Sequence, residues 1–204
     1  MAFQWAENAD FLLPFGADFG LESARMKLST LAVGFGVIYS APQIFGLVRP
    51  AAFASAARKF PRSEPWGYLL MALGTIWFLA NLQAESISDF AAYKNLMLAG
   101  FGAVGLLTCL FVRDFLAVRG FAIVLLLLAK LMLDTARWHD SQWRLLLSTL
   151  AYIWILAAMW LIISPWRLRD MINWLTANET RIRISSAIRL AVGLLILGLG
   201  LFVF

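Results

Sequence analysis

Charge is what this sequence has least of. Charged residues fill 14% of its 204 positions while hydrophobic residues fill 62%, and the mean hydropathy is +0.79. A soluble domain is typically about a quarter charged and about half apolar. That gap excludes an ordinary cytosolic enzyme, a disordered tail and a nucleic-acid module, so no nucleic-acid partner is expected. Cysteine is limited to Cys109, set inside an apolar run. No intrachain disulfide can form, and a thiol in such a run acts as a small hydrophobe. Histidine is limited to His139, which rules out a His-rich metal site or a bis-His haem built from this chain alone.

Catalytic signatures are missing as well. There is no HExxH, no P-loop and no Ser/His/Asp set with plausible proximity. Glu64, Asp114, Asp170 and Glu179 are each isolated in sequence, unlike the acid clusters that hold Mg²⁺ in phospholipid-processing enzymes. The expectation is a protein that is not an enzyme, with no catalytic residues and no metal ligands; no motif names a cofactor. The first 27 residues lack a basic stretch followed by an apolar core, and carry Glu7, Asp10, Asp18 and Glu22 instead. They read as a polar outer segment rather than a cleavable secretory signal.

Apolar runs are what the sequence has in abundance. A bilayer core of about 30 Å needs roughly 20 residues of helix at about 1.5 Å each. Leu28–Val48, Trp66–Leu82, Leu96–Val112 and Leu145–Ile163 are uncharged runs of suitable length. Phe115–Leu133 is comparable but contains Arg119 and Lys130, and Leu190–Phe204 reaches full length once the residues before it are added. The runs are continuous rather than alternating, and only helices satisfy their own backbone in lipid. The predicted fold is therefore all-α: a polytopic transmembrane bundle forming one domain over 28–204. Its six spans are placed at about 28–48, 66–82, 96–112, 115–136, 145–163 and 186–204.

Orientation follows from the short connections. Those after spans one, three and five hold eleven of the 17 basic residues, and the opposite side holds six basic residues with eight of the 12 acids. Basic loops stay in the cytoplasm, so both termini are expected on the non-cytoplasmic side. The 13 arginines against 4 lysines suit a GC-rich bacterial genome, hence a bacterial inner membrane. Two connections read as surface helices. Leu168, Met171, Ile172 and Leu175 recur at helical spacing with Arg167, Arg169, Asp170 and Asn173 opposite, and Ala51–Phe60 shows a weaker version of the pattern. Such amphipathic stretches lie in the membrane interface. Ile87, Phe90 and Ala91 hint at a third, on the outer side. Arg49-Pro50 and Ser164-Pro165 each precede a basic amphipathic stretch, a polar turn and another span, which reads as an internal repeat of two hairpins running in the same direction. An inverted three-plus-three arrangement and chance similarity between two apolar hairpins are the alternatives.

Four groups of residues stand out as candidate sites. Arg119, Lys130, Asp134 and Arg137 fall on one face of the fourth span, and ionisable groups at that depth mark a buried pair, a partner contact or a solute path. Gly100, Gly102 and Gly105 spell GxGxxG. With no strand before it and no acid at the right distance after it, the motif reads as a helix-packing surface rather than a dinucleotide site. Arg181, Arg183 and Arg189 are placed to meet anionic lipid headgroups. His139, in an outer loop, is a candidate ligand or proton relay. Together these features point to an accessory or scaffolding subunit of a larger membrane complex, working through helix–helix and lipid or pigment contacts. The expected partners are the bilayer and other membrane subunits or further copies of itself. A small proton or solute transporter using the charged span is the rival reading.

Overall fold

A computed structural model describes residues 28–84, 93–137 and 142–203. The segment 1–27, the amphipathic hint at Ile87, Phe90 and Ala91, and His139 lie outside the described residues. The elements are α1 (Leu28–Val48), α2 (Pro50–Lys59), a short 3₁₀ turn (Phe60–Arg62), α3 (Glu64–Ala84), α4 (Lys94–Phe111), α5 (Leu116–Arg137), α6 (Arg144–Ile163), α7 (Trp166–Leu175) and α8 (Glu179–Phe202). Six of these, α1, α3, α4, α5, α6 and α8, are long and apolar enough to cross a membrane. The ten-residue helices α2 and α7 connect two of the long pairs.

Local sequence sets the boundaries. Pro50 opens α2 at its first helical position and Pro165 precedes α7, where a missing N–H has no helical partner to lose. Phe115, just before α5, adopts a positive φ of 55°, so α5 starts after it rather than at it. The most visible departure from the apolar runs is α8. It begins at Glu179, seven residues ahead of the expected start, because Asn178 is extended and no breaker follows. Arg181, Arg183 and Arg189 therefore lie on the last long helix itself.

Close packing is achieved by glycine. α1 and α8 are antiparallel, and their seam joins the small residues of both. A β-carbon on Gly36 would stand 2.8 Å from the backbone nitrogen of Leu197, and one on Gly200 2.9 Å from the backbone nitrogen of Val33. Ser186 Oγ fills the space a β-carbon would need on Gly46, and Ser40 Oγ does the same opposite Gly193. Both hydroxyls are buried without a hydrogen-bond partner among the described residues. A hydroxyl set against a glycine Cα is a setting for weak Cα–H···O contacts, which accompany small-residue helix pairs. α3 and α5 run parallel and use the same device, with Gly120 on the Met71 backbone and Gly67 against Leu116 and Ala117.

α5 is the central helix. It packs on α3 along one side and on α6 along the other, and its Ala122, Ala129, Met132 and Ala136 are all buried. Ala129, Met132 and Ala136 join Leu147, Ala151, Ala32 and Ile196 in one core cluster. α1 is held to α6 by Phe35 edge-on to Trp154 at 4.8 Å. The order long helix, proline, ten-residue helix, long helix occurs twice, in α1–α2–α3 and α6–α7–α8. α1 meets α8, whereas α5 stands between α3 and α6.

α2 and α7 share one end of the bundle and clasp each other. Arg58, near the end of α2, donates from Nε to Thr176 Oγ1 at 2.8 Å and from a terminal nitrogen to the Thr176 carbonyl at 2.6 Å. Thr176 closes α7. The guanidinium thus meets a carbonyl that the helix leaves without a partner, at the end where the helix dipole favours a cation. Thr176 in turn donates to the Ile172 carbonyl at 2.7 Å. The 3₁₀ turn is fixed beneath α5 by Phe60 edge-on to Phe121 at 5.9 Å and by Arg62 over the Phe115 ring at 5.9 Å.

Candidate functional site: a lateral cleft between α3, α4 and α5

α4 is the least integrated helix. It packs on α3, and Gly105 is its only buried residue. The reason lies in its side chains. Gly105 sits so tightly against Thr75 that not even a methyl group would fit, since a β-carbon there would come within 2.6 Å of Thr75 Cγ2. Gly102 makes only ordinary contact with Leu79, and the space beside Gly100 is open. Of the GxGxxG glycines, therefore, one provides close packing and the other two do not. The helix touches α3 at this point and splays from α5.

The splay leaves a cleft of about 510 Å³ that opens sideways out of the bundle. Its floor is α3, through Met71, Gly74, Thr75, Phe78, Asn81 and Leu82. One wall is α4, through Phe101, Val104 and Gly105; the other is α5, through Ile123, Leu126, Leu127 and Lys130. Phe78 and Phe101 pack edge to face at 5.0 Å across the junction of floor and wall. The size falls within the roughly 300–1,000 Å³ typical of small-molecule sites, which are likewise mostly apolar with a few placed polar groups.

The polar groups lie toward the end of the cleft remote from α2 and α7. Lys130 Nζ donates to Asp134 Oδ2 at 2.7 Å, one turn further along α5, with side chains 44% and 50% exposed. Asn81 donates to the Trp77 carbonyl at 2.9 Å, so its amide is held against α3. Lys94 Nζ, at the start of α4, donates to the Gln83 carbonyl at the end of α3 at 2.6 Å, which ties the floor to that wall.

The structure thus brings two of the four stripe residues into direct contact. Arg137 is exposed in the last turn of α5, and its carbonyl accepts from Arg144 at 3.1 Å. Arg119 is half-buried near the other end, its Nε without a hydrogen-bond partner among the described residues. The headgroup candidates are separate from the cleft. Arg181 stacks over Trp174 at 5.1 Å, and Arg183 lies 4.0 Å from Glu179 along the same helix. Arg189 is half-buried. Among the described residues no group of His, Cys, Asp and Glu could hold a metal ion. Sequence reasoning did not assemble the α3 floor. The small residues Gly74 and Thr75 of α3 and Gly105 of α4 let two helices approach, but nothing in their spacing marks a cleft beside them. No protein family, curated protein or solved structure matches the chain.

Proposed function

We propose that the chain is a multi-pass protein of a bacterial inner membrane, an accessory or scaffolding subunit that acts by association in the plane of the bilayer rather than by catalysis. Its six long helices cross the membrane, α2 and α7 lie on the cytoplasmic surface, and both termini are outside. The observation that carries the reading is the half-exposed Lys130–Asp134 pair, whose Lys130 lines a cleft that opens sideways. A charged pair within a span is costly against bare hydrocarbon and is retained where something polar meets it. A lateral opening offers the pair to other components of the membrane. A transporter would be expected to place it along a route between the two ends, and a sideways cleft floored by α3 favours association instead.

The test is isolation of the protein from native membranes in lipid nanodiscs, together with flux measurements on the purified protein in vesicles. We expect a partner subunit in fixed stoichiometry and no ion or solute flux that depends on positions 130 and 134. Isolation of the chain alone, with a flux abolished by Lys130→Met and Asp134→Asn, would establish the transporter reading in its place.

A further inference from the structure

Resting on the membrane reading above, we infer that the α3–α4–α5 cleft is a binding site for one phospholipid of the leaflet opposite α2 and α7, its acyl chain lying on α3 and its phosphate at Lys130. Three observations carry this.

The first is length. The floor runs from Met71 to Leu82, eleven helical rises or about 16 Å at about 1.5 Å each. One leaflet is half of a hydrocarbon core of about 30 Å. The cleft is one leaflet deep, whereas a partner's transmembrane helix would need a groove across both. The second is lining. Below Asn81 and Lys130 the cleft presents aliphatic and aromatic carbon, apart from the Thr75 hydroxyl, which is what a hydrocarbon chain meets favourably and a hydrated solute does not. The third is the position of the charge. Lys130 reaches one turn along α5 to Asp134, which lies three residues, or about 4.5 Å, from the end of the helix at Arg137. The ammonium is therefore lifted to the depth where headgroups begin, as a snorkelling lysine is, and remains half exposed on the cleft side. A phosphodiester there meets a cation, with the Asn81 side chain beside it.

A photo-crosslinking residue in place of Phe101, activated in native membranes, is the probe. The expected product is an adduct of phospholipid mass, reduced about tenfold by Val104→Trp, which fills the cleft from its exposed wall; such a change corresponds to about 1.4 kcal/mol of binding. Compared at equal amounts of folded protein, Lys130→Gln should weaken the adduct, whereas Lys130→Arg, which keeps a cation at this depth, should preserve it. Equal adducts from these two variants would overturn the assignment of the phosphate to Lys130. Crosslinking to a protein instead would overturn the lipid assignment and leave the accessory-subunit reading standing. No adduct of either kind from folded protein would overturn the lipid assignment alone, since the accessory-subunit reading is decided separately by isolation of a stoichiometric partner. An adduct unaffected by Val104→Trp would place the lipid elsewhere and also overturn the inference.

Discussion

Gly36→Ala should be among the most damaging small substitutions in this protein, while Gly34→Ala, two residues away on the same helix, should be harmless. The new β-carbon at position 36 would lie 2.8 Å from the Leu197 backbone nitrogen and 2.9 Å from its Cα. Backbone cannot rotate aside as a side chain can, so α1 and α8 would have to separate. Overpacking of this kind costs about 1–3 kcal/mol. Position 34 has nothing within 4 Å of the added carbon, and alanine is the better helix former by up to about 1 kcal/mol. The two variants should therefore differ by about 1–4 kcal/mol, with Gly36→Ala the destabilised one. Reversible unfolding in mixed micelles measures the difference. Gly120→Ala should behave like Gly36→Ala, because its β-carbon would lie 2.7 Å from the Met71 nitrogen. Equal tolerance at 34 and 36 would mean that α1 and α8 do not meet along this seam.

Removing one charge of the Lys130–Asp134 pair should cost more than removing both. A charge at the centre of a membrane helix costs roughly 2.5–3.5 kcal/mol on insertion scales. This pair lies nearer one end and is half exposed, so a single loss should cost less, about 1–3 kcal/mol. Asp134→Ala deprives the ammonium of the carboxylate it bonds. Lys130→Met leaves a carboxylate whose short side chain cannot snorkel as far as lysine can. The double variant leaves carbon that lipid or a neighbour can cover. We expect Asp134→Ala to lower folded yield, and Lys130→Met added to it to restore much of the loss. A coupling energy in the usual range for contacting residues, about 0.5–3 kcal/mol, would be read from the double-mutant cycle. Additive effects would contradict the pair. Restored folding without restored partner association would separate the pair's structural role from its role at the cleft.

The extent to which the sequence announced these features differs between elements. The six long helices follow the apolar runs because helix length and hydropathy are local properties, and α2 and α7 follow their amphipathic patterns for the same reason. Pro50 and Pro165 marked both of their starts. Partner choice was another matter. Apolar helices have no polar face to label outside from inside, so the meeting of α1 with α8 was present only as small residues at Ala32, Gly36, Ser40, Gly193 and Gly200. Those residues could show that close contacts exist without showing which helices make them. Gly198, with nothing near it, illustrates the same ambiguity, as do Gly100 and Gly102 beside Gly105. The charged stripe on α5 was readable, but the cleft beside it depends on α4 leaning away from α5. That follows from the contact of Gly105 with Thr75, a tertiary event with no signature in either helix alone.

Crossing and sidedness of the six helices are tested most directly by single cysteines at Ser63 and Gln142, introduced into a Cys109→Ala background. Ser63 lies between α2 and α3, and Gln142 lies just before α6 at the opposite end of the bundle. In intact bacterial cells a membrane-impermeant thiol reagent should label position 142 and leave position 63 unlabelled until the membrane is opened. Labelling of 63 with protection of 142 would invert the orientation, and labelling of both in intact cells would contradict a bundle that spans the bilayer.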